Sequence, residues 1–181
     1  LVRMFATPWL EPFKQLSYVL SGHGGDGKTL IMSQAVLGAL GDGKVFPSLN
    51  VAQFCENGGY TLNRESMVDA MDGASFAYDD EAGEVSERML PWLRGLSTGT
   101  PMQARVVGGR YRTVTPTATI VMLTNQGFAD STEKSDRRRF VKVEFHASAG
   151  RSYDEYHAIE LFVHNHPAAL FALSCELWEQ Y

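Results

Sequence analysis

The stretch Gly22–Thr29, GHGGDGKT, constrains the fold more than any other part of the chain. It fits the spacing G-x-x-x-x-G-K-[ST], in which glycines turn backbone N–H groups inward and one lysine stands at the start of a helix. Such a loop needs a strand before it and a helix after it. The flanks comply: Gln15–Ser21 (QLSYVLS) reads as a buried strand, and Lys28–Leu40 reads as a helix closed by Gly41.

The chemistry that suits this loop is phosphate binding. Gly22, Gly24, Gly25, Asp26, Gly27, Lys28, Thr29 and Leu30 form the expected cradle. Lys28 would reach the β- and γ-phosphates, and the Thr29 hydroxyl would ligate Mg²⁺. Asp26 is out of character in an anion site. It is expected to face away or to bond the loop backbone, because an inward carboxylate repels the nucleotide.

Strand and helix patterns alternate along the rest of the chain, so an α/β layered sheet is expected. Val51–Phe54 reads as a weak strand. Asn63 reads as the cap of a helix over Arg64–Met71 that ends at Gly73. Ser75–Tyr78 is a short apolar strand, and Ser86–Leu96 a helix kinked or restarted at Pro91. Met102–Val114 reads as a hairpin turning at Gly108-Gly109. Thr119–Leu123 and Phe140–Phe145 are further strands, and Tyr153–Tyr181 is mostly helical.

Composition narrows the partners. The 181 residues carry a net charge of −5, so any nucleic-acid contact must be local rather than spread over the surface. Two distant cysteines, Cys55 and Cys175, read as reduced thiols of a cytosolic protein. No apolar run approaches the ~20 residues that span a bilayer, so a membrane is not an expected partner. The chain does not open with Met, which fits a piece of a longer protein.

Further motifs follow in order. SFAYDDE, Ser75–Glu81, delivers carboxylates at a strand end. Asp80 is the candidate for Mg²⁺ and Glu81 for orienting an attacking water; with the register one off, Asp79 takes the metal role. TIVMLTN ends in Asn125, whose amide can sense the γ-phosphate. DRRRF, Asp136–Phe140, clusters Arg137, Arg138 and Arg139, any of which can stabilise a phosphoryl transition state in a neighbouring subunit's site. A two-residue turn at Gly108-Gly109 pairs Val107 with Arg110 and Arg105 with Arg112. Arg105, Arg110 and Arg112 then share one face, fit for a nucleic-acid backbone, with Tyr111 on the other.

This order of phosphate loop, DDE, basic hairpin, strand-Thr-Asn and RRF resembles the superfamily 3 helicases. The primase-helicases of poxviruses, bacteriophages and mobile elements are the most similar group. The more specific part is Leu93–Asn125, LRGLSTGTPMQARVVGGRYRTVTPTATIVMLTN. The resemblance implies an AAA+ P-loop NTPase, a three-layer α/β fold with parallel strand order 5-1-4-3-2 and a β-hairpin inserted before the sensor strand. It implies one motor domain over residues 1–181: a lead-in to residue 15, a nucleotide-binding core over 16–146 and a helical segment over 147–181. The implied activity is ATP hydrolysis between subunits of a ring, as a rule hexameric, that moves on single-stranded or forked DNA with Mg²⁺ as cofactor and a fused or associated primase. Arg138 or Arg139 would be the trans-acting finger, Arg105 and Arg110 would line the pore, and the host-cell cytoplasm would be the compartment. The family often has Lys where Arg94 stands, a position whose cation reaches a neighbour's phosphate. The alternative is a P-loop phosphotransferase or nucleotide-switch scaffold, which needs neither a basic hairpin nor a trans arginine.

Overall fold

A computed structural model describes residues 2–10, 16–55, 61–106, 108–126, 128, 133–146 and 152–178. Five strands form one sheet: β1 (Ser17–Gly22), β2 (Val45–Phe46), β3 (Phe76–Asp79), β6 (Thr119–Thr124) and β7 (Phe140–Phe145). Their neighbour order is β2-β3-β6-β1-β7, and every pairing is parallel. β4 (Met102–Arg105) and β5 (Tyr111–Val114) form a separate antiparallel pair.

The helices are α1 (Val2–Leu10), α2 (Lys28–Leu30), α3 (Leu37–Leu40), α4 (Val51–Cys55), α5 (Thr61–Ala70), α6 (Leu90–Ser97), α7 (Lys134–Arg137), α8 (Tyr153–Asn165) and α9 (Ala169–Trp178). A π-helical segment, Ile31–Val36, joins α2 to α3, so the rod after the loop is not α-helical throughout. Such wide turns recur beside functional sites.

Strand alternation sorts the core into two layers. Tyr18 and Leu20 of β1, Phe76 and Tyr78 of β3, and Val121 and Leu123 of β6 face one side, where Met4, Phe5, Met32, Val36 and Phe171 meet them. Val19, Ala77, Ile120 and Met122 face the other, against Val51, Phe54, Val68, Leu93 and Leu96. Both faces are covered, which is why these strands read as continuous apolar runs. Complete burial of Tyr18, Phe54 or Phe76 stabilises the fold by roughly 1.5–3 kcal/mol each. On the first side, Phe171 of α9 sets its ring edge against Phe5 of α1, with centroids 4.9 Å apart.

Several expectations need correction. Val51–Phe54 is helical, not a strand: Asn50 caps α4 by accepting from Gln53 N at 2.9 Å, and Asp79 Oδ2 accepts from Val51 N at 2.7 Å. Asn63 lies inside α5 rather than ahead of it, because the helical backbone begins at Thr61 and a cap preference worth ~1 kcal/mol does not set the boundary alone. The helix expected from Ser86 begins only at Leu90, and of the two readings of Pro91 the restart holds: it occupies the first turn of α6, where its missing N–H costs nothing. The helix α1 and the two-residue strand β2 carried no clear sequence signal.

The hairpin register also differs. Arg105 pairs with Tyr111 and Ala104 with Arg112. The turn is longer than two residues: Gly109 N donates to Val106 O at 2.8 Å, with Gly108 at φ 77°. A one-residue slip sends alternate side chains to the opposite face. Arg105 and Tyr111 therefore share a face, and Arg112 leaves it. The expected Val107–Arg110 pair includes Val107, which lies outside the described residues.

Candidate functional site

The phosphate-loop signature sits at the carboxyl end of β1. Gly25 and Gly27 adopt φ of 79° and 90°, a left-handed region in which side chains are strained. A Cβ on Gly24, Gly25 or Gly27 would meet nothing within 4 Å, so the loop borders open space. Gly22 is a glycine for another reason: a Cβ there would run into Asp26 Oδ2 and come within 2.6 Å of Phe145 O on β7.

Lys28 is nearly buried. Its Nζ donates to Asp26 Oδ2 at 2.5 Å and to His23 O at 3.2 Å, and its backbone N–H donates to Asp26 Oδ1 at 3.3 Å. The side chains of this ion pair are 6% and 3% exposed. Asp26 bonds the loop backbone, as one of the two expectations had it, but it does not face away: its carboxylate also holds the lysine ammonium. Thr29 is exposed and Leu30 half-buried.

The acidic run leaves β3 two strands away. Asp79 is buried and committed to structure: besides Val51 N, it accepts from Glu81 N at 3.0 Å. Burial, and then the charges of Asp80 and Glu81, push its carboxyl above the ordinary carboxylate range, against the two backbone hydrogen bonds. Asp80 and Glu81 are exposed. Ala82 N donates to Leu123 O at 2.9 Å, which ties the end of the acidic run to β6. Thr124, the last residue of β6, donates its hydroxyl to Gly83 O at 3.0 Å, and the next residue, Asn125, is exposed.

Ser21 of β1 is level with Thr124 of β6, and Asp79 of β3 is level with Met122. The loop, the acidic pair and Asn125 therefore leave the same carboxyl edge on neighbouring strands. With strands ~4.8 Å apart, the ends of β1 and β3 lie about 10 Å from one another. Open parallel sheets bind ligands at this edge.

The arginines divide by their partners. Arg139 donates to Ser135 O at 2.9 Å, whereas Arg138 is exposed and its side chain has no partner among the described residues. Arg94 of α6 is held within its own chain, 2.9 Å from Asp136 and 3.1 Å from Glu133. On the hairpin, Arg105 lies over the Tyr111 ring, 5.0 Å from its centroid. Arg112 Nε donates to Asp69 at 2.7 Å and its Nη1 to Asp72 at 2.5 Å, so it fastens β5 to the end of α5. Arg110 is exposed near the tip. A separate cleft of about 620 Å³ lies between α5, α6 and β4, lined by Arg64, Glu65, Trp92 and Arg94 among others.

Sequence reasoning missed two features: the clamp role of Asp79 and the Arg105–Tyr111 pairing. For the second, Gly108 in a longer turn was the available signal. Cys55 is buried, which pushes its thiol up to about 12 and keeps it protonated, in keeping with a reduced structural cysteine.

No known protein-family pattern matches the chain, and no curated protein matches it. Solved structures do. The apo structure of the NrS-1 C-terminal region is similar with a TM-score of 0.63 at 12% identity, over 94% of this chain and 40% of that one. A second crystal form of that region gives a TM-score of 0.62 at 13% identity over the same shares. The JCV helicase gives 0.54 at 16% identity, over 94% of this chain and 48% of that one. The chain thus spans about two-fifths to half the length of these structures. At such identities the likeness is one of fold: a helicase-like, P-loop NTPase-like α/β domain. Among the described residues, no helix is long and apolar enough to cross a membrane.

Proposed function

We propose that this chain is the motor domain of a ring-forming, ATP-driven DNA helicase of superfamily 3, part of a longer primase-helicase. The observation that carries the reading is the exit of Lys28-Thr29, Asp80-Glu81 and Asn125 from one carboxyl edge on adjacent strands. Counting only the sheet's own strands in chain order, the neighbours run 2-3-4-1-5. Written from the other edge this is 5-1-4-3-2, which supports the AAA+ assignment, as does the β4–β5 hairpin ahead of β6.

The residues fit Mg²⁺-ATP. Thr29 and Asp80, a hydroxyl and a carboxylate, are both exposed at the carboxyl edge of the sheet. Thr29 and Asp80 would hold Mg²⁺, which would supply neutralising charge for the phosphates. Lys28 stabilises the same oxygens, Glu81 orients the water, and Asn125 reads the γ-phosphate. Arg138 from the next subunit completes the site; the bond from Arg139 to its own Ser135 favours Arg138 over its neighbour. Arg110 near the hairpin tip and Arg105 on the face it shares with Tyr111 contact the DNA, and Arg112 anchors the hairpin that carries them.

The test is ATPase activity with and without single-stranded DNA, measured alongside mass in solution. Turnover should rise with DNA and with protein concentration, and Lys28→Ala should lower kcat at least 100-fold, on the order expected for losing a phosphate-stabilising charge. Hydrolysis indifferent to DNA and to concentration would assign the chain to the phosphotransferase or nucleotide-switch class instead.

A further inference from the structure

The hollow of the phosphate loop is already occupied by a carboxylate. Asp26 grips Lys28 at two points: one oxygen takes the ammonium and the other takes the backbone N–H of the same residue. A bound phosphate uses that same pair of donors. Asp26 Oδ2 also packs so closely on Gly22 that a Cβ there would collide with it. The ion pair is shielded from water, so its attraction is little screened.

We propose that Asp26 is an internal stand-in for phosphate, a residue that sets nucleotide affinity by competing with polyphosphate for Lys28. This rests on the reading of Gly22–Thr29 as a nucleotide loop, and it names the regulation of that site. The physical basis is competition. Two anions cannot share one buried ammonium without strong like-charge repulsion, so the incoming phosphate must break the Asp26–Lys28 contacts and turn the carboxylate out. Part of the binding free energy is used in that exchange, which weakens the apparent affinity. Asparagine keeps the shape and one acceptor oxygen but carries no charge, so it yields more readily.

The experiment titrates a fluorescent ATP analogue and inorganic tripolyphosphate into the full chain, its Asp26→Asn variant and its Lys28→Ala variant. Asp26→Asn should tighten both ligands about tenfold, the difference between a charge-assisted and a neutral hydrogen bond. It should lower the KM for ATP by a similar factor. Lys28→Ala should abolish tight binding. Equal or weaker binding by a folded Asp26→Asn variant overturns the proposal and leaves the nucleotide-loop reading standing. Absence of binding by every form, the unaltered chain included, overturns both. A structure of the unaltered protein with a non-hydrolysable ATP analogue tests the same point without a variant. Asp26 should have left Lys28, and an intact ion pair beside bound phosphate overturns the proposal.

Discussion

At the scale of single residues, two buried carboxylates with opposite assignments flank the proposed chemistry. Asp26 faces a cation and Asp79 faces only backbone amides. The raised carboxyl of Asp79 has a definite sign. The folded protein keeps this proton to higher pH than the unfolded chain does. The stabilisation linked to it is present at low pH and is lost as pH rises through the folded value. Asp79→Asn should remove that slope. Urea unfolding of both forms between about pH 4 and pH 7 should show a stability difference that shifts in favour of the variant as pH rises. A pH-independent difference would mean that Asp79 does not titrate in that window. Lys28 and Thr29 were legible in the sequence because their spacing from Gly22 and Gly27 is itself the signature. The contacts of Asp26 with the lysine ammonium and of Asp79 with Val51 were not, since one depends on how the loop folds around Lys28 and the other on an amide far away in the chain.

At the scale of elements, the hairpin is the part whose reading changed most. Its existence followed from the glycines and the alternating pattern, but its register depended on the turn length, which Gly108-Gly109 alone left ambiguous. The correction separates the arginines. Arg110 stands exposed near the tip, while Arg112 is tied to Asp69 and Asp72. Arg110→Ala should weaken single-stranded DNA binding and reduce the slope of log affinity against log salt by about 0.7, the effect of one lost phosphate contact. Arg112→Ala should act differently. Amides of β4 and β5 should exchange faster with solvent while the global melting temperature hardly moves, because the ion pair it removes is largely exposed. Exchange rates unchanged in that variant would refute the anchoring role. The helix α4 was misread for a related reason: Val51, Phe54 and Cys55 are all buried, and a short apolar run is ambiguous between strand and helix until Asn50 is recognised as a cap.

At the scale of the whole molecule, the order of strands governs what can act together. The proposed site is incomplete in one subunit if Arg138 serves its neighbour. Lys28→Ala and Arg138→Ala, each inactive alone, should then recover ATPase when mixed. In a random equimolar ring about a quarter of interfaces would pair an intact loop with an intact arginine, so about a quarter of normal turnover is expected. No recovery in mixed rings would place the arginine's action within its own subunit. The alternating strands and helices made this layered plan readable from the sequence. The packing of α1 on α9 through Phe5 and Phe171 was not, because it joins the two most distant parts of the chain. The placement of β1 bears also on biogenesis. This strand is translated well before both of its partners, β6 and β7. Tyr18, Val19 and Leu20 have no strand partner until β6 has been translated and lack the second until β7 follows, a long interval in which a nascent chain attracts chaperones or its own copies.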